Sequence, residues 1–370
     1  MITTNSDMLM KPKERVLRAI QRTEVDRPPV FATLTPHAAR KLSHHHGLPY
    51  EEPINSLLAS RASHNDLLVH IGNDCVGVAA CYPETDPLRM RDDGSFVNEW
   101  GMIFKDIGLY NEFADYTLKN VSSAEEINQY TFPDPHAPGR YREAIKTIKK
   151  YGDEYAVVAN LECAIFETAW YLVGFEKLMV DMMLEAEYIN PLLDRIMEVN
   201  TEIGKKLIEL GADVIWAGDD FGTQQGLLMD PDTFRKYFKP RIKLMFEEFR
   251  KVNSEIKIAW HSCGSILPII PDFIEIGLDI LNPLQPLATD MNPDNLTSRF
   301  GSDLIFFGGI DIQNLLPFST PEKIKSEVKR IAGIYGRRSG YIVGPAHHIQ
   351  DDTSPENVIA MFEAVRELAG

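Results

Sequence analysis

The sequence predicts an α/β fold, a single (β/α)8 barrel, on three observations. First, short apolar runs alternate with amphipathic helices from Tyr155 onward: YAVVANLE, ADVIWAGDD, KIAWHSCG, DILNPLQP, LIFFGGID and YIVGPAHH. Continuous Val/Ile/Leu runs suit strands buried on both faces, as in parallel sheets. Second, the helices that follow share one opening. Asp230-Pro231-Asp232, Asn292-Pro293-Asp294, Thr320-Pro321-Glu322 and Ser354-Pro355-Glu356 each place a capping side chain, a proline needing no N–H partner, and an acid that suits the helix dipole. Third, PVFATLT and DCVGVAA in the first half bring the strand count to eight. An open dinucleotide-binding sheet would carry a Gly-rich loop after its first strand, and PVFATLTPHAARKL contains no glycine.

Taken in order, Lys13 to Arg22 reads as an amphipathic helix with Val16, Leu17 and Ile20 on one face. It stops before Pro28-Pro29, where the first strand begins. Met90 to Tyr116 breaks into short Gly- and aromatic-containing pieces, a hairpin insertion, and Ser122 to Tyr151 is polar and then helical. No low-complexity linker divides the chain. Residues 1–370 therefore read as one domain, a barrel core from about residue 28 onward preceded by a helical extension.

Composition narrows the function. Hydrophobic residues make up 44% and charged residues 25%, the balance of a globular protein with a large core. The formal net charge is −16, and no Lys/Arg run is dense enough to follow a phosphate backbone, so nucleic acid is excluded as a partner. No stretch of roughly 18 apolar residues or secretion-type leader is present, and no membrane association is expected. Four cysteines in 370 residues do not form a disulfide framework, so a cytoplasmic chain with reduced thiols is expected.

Barrel strands are apolar until the carboxyl-end rim, where catalytic groups sit. Here the runs end in Glu162, Asp219-Asp220, His261 with Cys263, Gln285, Asp311 and His347-His348. In an extended strand, residues two apart face the same side. His261 and Cys263 could thus grip one metal ion, with Gly264 allowing a tight turn beyond them. A buried histidine beside a small cysteine is the alternative, and the strand-end position favours the metal. Zinc needs at least a third protein ligand, and His347 at the end of the last strand supplies it. His348 is expected to point away. Asp219 and Glu162 are candidates for acid/base work, and Asp220, Gln285 and Asp311 for substrate binding. Adjacent acids on a strand face opposite ways, so only one of Asp219 and Asp220 is expected to be functional. The His44-His45-His46 tract reads as a solvated helix end.

Nearly the whole chain resembles the uroporphyrinogen decarboxylase superfamily. The opening KPKERVLRAIQRTEVDRPPVF carries the resemblance, as do WHSCGSILPIIPDFIEIGLDILNPLQP, FFGGIDIQNLLPFSTPEKI and GPAHHIQDDTSPENVIAMFEAV. It implies a (β/α)8 barrel and one of two chemistries. The true decarboxylases carry an arginine-containing RQAGR motif after the first strand, where this chain reads TPHAARK. Asp219 resembles the aspartate they direct at pyrrole N–H groups. The second branch comprises zinc methyltransferases that work with corrinoid proteins, such as methylcobamide:coenzyme M methyltransferases. Their signature is His-x-Cys followed by a distant cysteine. His261 and Cys263 match it, and His347 stands in the place of the last cysteine.

The resemblance implies a zinc enzyme moving a methyl group between a corrinoid, carried on a partner protein, and a thiol or methoxy-type small molecule. Its closer branch is the methyltransferases. The alternatives are a metal-free decarboxylase centred on Asp219 and a barrel that only binds a ligand. A homodimer is compatible with the resemblance.

Overall fold

The computed structural model describes residues 10–106, 111–337 and 340–369, leaving out the side chains of Asp106, Asn111 and Glu162. Seven parallel strands form one sheet: β1 (Cys75–Val78), β6 (Ala156–Glu162), β7 (Val214–Gly218), β8 (Lys257–His261), β9 (Ile280–Asn282), β10 (Ile305–Ile310) and β11 (Tyr341–Pro345). They pair in chain order, so each strand–helix unit packs beside the one before it. The insertion expected over Met90 to Tyr116 is larger than a hairpin. It is a separate antiparallel sheet of β2 (Arg89–Met90), β3 (Phe96–Val97), β4 (Ile103–Asp106) and β5 (Asn111–Asp115).

The sheet curls. Ala156, Val158, Val214, Trp216, Ala259, Ile280, Ile305, Phe307 and Ile342 come from six strands and meet in one inner cluster. Val16 and Ile20 of the helix Pro12–Ile20 join them, so that helix caps the inner cluster. The alternate positions Val157, Ala159, Leu161, Ile215 and Ile258 point outward and pack in the outer core with the helices.

The expected first strand, PVFATLT, does not form a regular ladder. It makes two isolated bridges, Val30 to Val343 in β11 and Leu34 to Ile349 in the segment beyond β11. On its other side, side chains replace backbone partners. The Asn73 amide both accepts from Ala32 N–H and donates to Ala32 C=O, each at 2.9 Å. Asp74 accepts from Val30 N–H at 2.8 Å. Phe31 nevertheless points into the inner cluster. Seven strands in a TIM-type arrangement are therefore formed, with residues 30–34 running along β11 and the segment that follows it.

The four predicted helix starts hold at atomic detail. Asp230, Asn292, Thr320 and Ser354 each accept a backbone N–H from the first turn of their helices, those beginning at Pro231, Pro293, Pro321 and Pro355. His44 and His45 form the exposed last turn of the helix Pro36–His45. Among the described residues no helix is long and apolar enough to cross a membrane.

Candidate metal centre at the carboxyl end of the sheet

β8 ends at His261, whose side chain is almost fully buried. Opposite it in register on β7 is Gly218, where a Cβ would lie 2.4 Å from the His261 carbonyl oxygen; only glycine leaves room for this strand end. Gly264, at φ +77°, turns the chain immediately after Cys263, and a Cβ there would press to 2.5 Å on the Gly222 backbone. The tight turn expected from the sequence is present, and it holds Cys263 over the strand end.

Ligand atoms of His261, Cys263 and His347 all lie within 4.8 Å of one another, the one such group of three among the described residues. Cys263 Sγ is 3.3 Å from His261 Nε2. Two ligands of a tetrahedral zinc, one sulfur and one nitrogen, stand about 3.5 Å apart given the usual bond lengths. The pair therefore has nearly the spacing that the ion requires. His347 faces His261 with ring centroids 5.8 Å apart.

The tautomer of His261 follows from its neighbours. Asn282, the last residue of β9, donates through Nδ2 to the Phe307 carbonyl at 3.1 Å, which leaves its Oδ1 facing His261 Nδ1 at 2.7 Å. Nδ1–H must donate there, so Nε2 presents its lone pair beside Cys263. Burial, reinforced by the nearby Arg61 cation, holds the His261 imidazolium far from forming and pushes His347 down to about 4. Both rings are neutral at pH 7, the state in which histidine binds metal.

Asp220 lies at the same place. Its Oδ1 accepts from Cys263 N–H at 2.7 Å and stands 3.5 Å from His261 Nε2. Burial raises its carboxyl above the usual range. Its backbone N–H donates to Glu167 at 3.1 Å, so Glu167 orients the Asp220 segment. Gln285 accepts from Gly264 N–H at 2.9 Å and so holds the turn that follows Cys263. The space enclosed by Arg61, Trp216, His261, Asn282, His347 and His348 is about 10 Å³, enough for one small occupant.

Two expectations require correction, those for Asp219 and His348. Asp219 does not face a cavity: it is fully buried, and its carboxylate accepts from the backbone N–H of Ile165 and of Glu167, each at 2.9 Å. It caps the start of the helix Phe166–Val173. Burial pushes it up to about 7 against those N–H groups, with the adjacent Asp220 adding to the rise. Asp219→Ala is expected to cost about 1–3 kcal/mol, because it strands buried donors. Thermal unfolding beside zinc analysis checks this: unchanged stability with lost zinc would mean that Asp219 serves the metal centre and not the helix start. Asp311 accepts from the N–H groups of Gln313, Asn314 and Leu315, caps the short helix Leu315–Phe318 and lines a small cavity with Gln285. His348 does not point away. β11 ends at Pro345, so strand alternation does not reach the histidines, and His348 enters the same space with Nδ1 2.7 Å from the Thr33 hydroxyl. Glu162 is the last residue of β6, and its side chain lies outside the described residues.

Sequence reasoning missed Asn282 and Arg61. Asn282 is a polar residue closing an otherwise apolar strand, the same signal that found His261. Arg61 is buried, with its guanidinium 3.9 Å from the Trp216 ring centroid, and comes from a segment with no strand pattern.

A curled parallel sheet with a His/Cys/His cluster at the carboxyl ends of its strands places the molecule among TIM-type proteins whose chemistry sits on that face. Residues 109–368 match the family model described as uroporphyrinogen decarboxylase (URO-D), and the chain belongs to that family. Similar proteins include the uroporphyrinogen decarboxylase of Pseudomonas fluorescens (strain Pf0-1), 25% identical over 96% of this chain and 97% of its own. That of Chromohalobacter salexigens is 24% identical over 96% and 97%. Among solved structures, a methyltransferase from Methanosarcina mazei superposes with a TM-score of 0.69 at 23% identity. The match covers 98% of this chain and 100% of the other.

Proposed function

We propose that this protein is a zinc-dependent methyltransferase that moves a methyl group between a corrinoid protein and a thiol or methoxy-type small molecule. The observation that carries the proposal is the convergence of His261, Cys263 and His347 at the sheet's carboxyl end. These three residues would hold the zinc, leaving one position for substrate. Bound there, zinc supplies Lewis acidity, which favours the thiolate form of a thiol or polarises a methoxy oxygen. The protein's own groups do the positioning. Asn282 fixes His261 so that Nε2 faces Cys263, and Asp220 and Gln285 hold the backbone on either side of the Cys263 Cα. Asp220, close to both His261 and Cys263, is the carboxylate best placed to meet a substrate proton. The likeness to a structure named methyltransferase supports the reading.

The curated relatives bear the name uroporphyrinogen decarboxylase, which makes decarboxylation the second reading. An Asp219-centred version of it is opposed by the burial of that carboxylate under a helix start. The deciding experiment combines elemental analysis with two assays: methyl transfer from methylcobalamin to a panel of thiols, and conversion of uroporphyrinogen with release of carbon dioxide. About one zinc per chain with thiol methylation is the expected result. Carbon dioxide release by a zinc-free protein would replace this proposal with the second reading.

A further inference from the structure

A small pocket opens at the ends of β9, β10 and β11, beside the cluster. It touches the turns that carry Cys263 and His347. Ala346, in its wall, directly precedes His347, and Gln285 is bonded to Gly264, which directly follows Cys263. Its volume is about 10 Å³, room for one hydroxyl-sized group.

The polar groups that line it are complementary. Gln285 accepts from Gly264 N–H through Oε1 at 2.9 Å, and that bond fixes which end of the amide faces the turn. Its Nε2 donates to no described residue and stays open to solvent on a half-buried side chain. Bracing the turn needs only the carbonyl, so an oriented amide donor is left over beside the cluster. Asp311 accepts three N–H groups, those of Gln313, Asn314 and Leu315, out of about four that a carboxylate can take. Gln224 and Gln313 add exposed, neutral amides. Asp311 is the one charged residue among the described lining, and Arg61 lines the inner space with Trp216, not this pocket. A hydroxyl satisfies both groups, accepting from Gln285 and donating to Asp311. An anionic tail would set its charge against Asp311 with no cation in the wall to offset it, and an ammonium has no lone pair for Gln285.

We propose that the thiol or methoxy substrate carries a neutral hydroxyl on a short chain, and that Gln285 and Asp311 select it. This rests on the methyl-transfer reading and adds the substrate class to it.

The test titrates 2-mercaptoethanol, 1-propanethiol and 2-mercaptoethanesulfonate into the zinc-loaded protein by calorimetry, beside elemental analysis and methyl transfer from methylcobalamin. These thiols share one linker and end in a hydroxyl, a methyl and a sulfonate. The hydroxyl thiol is expected to bind about tenfold more tightly than either of the others. Gln285→Met, which keeps the length and loses the donor, is expected to bring the hydroxyl and methyl thiols to equal affinity. Asp311→Asn is expected to recover most of the sulfonate's deficit. Equal affinity for the hydroxyl and methyl thiols, or tighter binding of the sulfonate, in unaltered protein that holds zinc and methylates a thiol would overturn this selection and leave the methyl-transfer reading standing. A protein that takes up no zinc and binds none of the thiols would overturn both. Should a variant not fold, the thiol series on the unaltered protein still decides.

Discussion

Cys263→Ala is expected to bring zinc from about one per chain to background and to lower methyl transfer from methylcobalamin by about 10³-fold or more. The reason is the ligand count. With Cys263 gone, His261 and His347 remain, two neutral nitrogens that hold zinc far less firmly than a set including thiolate. His347→Ala is expected to behave alike. Asn282→Ala provides the graded control, because it removes no ligand but frees the His261 ring from its 2.7 Å contact at Nδ1. Loss of such an orienting partner weakens metal affinity by about 10–100-fold. A metal titration with a competing chelator, run beside the activity assay, separates the three variants. If Cys263→Ala keeps its zinc, the His261–Cys263–His347 site is wrong whatever the activity shows.

The parts of this site that were legible in the sequence are those set by local periodicity. His-x-Cys was readable as a pair because residues two apart at a strand end stay close. β8 stops at His261, however, and it is the turn, with Asp220 on the Cys263 N–H, that sets the thiol. Gly264 marks that turn because only glycine takes φ +77° freely with Gly222 so close. The helix starts at Asp230, Asn292, Thr320 and Ser354 were readable for the same reason, since a cap and the N–H it accepts lie within a few residues. What was misread depends on chain segments far apart in sequence. An acid at the end of β7 looks catalytic until the helix Phe166–Val173, some fifty residues earlier, is seen to begin directly over Asp219. His348 was assigned the wrong direction because the strand stops at Pro345, which no period-two pattern announces. Asp220, one residue from the favoured Asp219, is the acid that reaches the cluster. The two adjacent acids do part company in the structure: Asp219 lies under the helix start, and Asp220 stands 3.5 Å from His261 Nε2.

The edge where residues 30–34 meet β1 is held by charge rather than by a ladder, and Asp74→Ala is expected to cost about 3–5 kcal/mol. Asp74 is almost fully buried and receives hydrogen bonds from Arg15 at 2.6 Å, Arg27 at 2.8 Å and Val30 N–H at 2.8 Å. It thereby ties the N-terminal helix, the first segment and β1 at one point. Its removal takes one of the two carboxylates from the buried Arg15 guanidinium, leaving Asp26, deprives Arg27 of its carboxylate partner and strands the Val30 backbone donor. For a chain of this size the loss corresponds to a Tm drop of about 4–6 °C. Asp26 adds an acid-side test. Burial raises its carboxyl, but hydrogen bonds from Arg15 and from the Met10 and Arg27 N–H groups outweigh that and leave it below the usual value of 3.8. A depressed carboxyl contributes stability that is fully present above its unfolded value and is lost as pH falls through its folded one. Stability should therefore fall as pH drops below about 4, and Arg15→Met, which removes the partner, should flatten that part of the curve. A Tm for Asp74→Ala within a degree of the unaltered protein would mean that the inner cluster around Phe31, and not this charge network, fastens the edge.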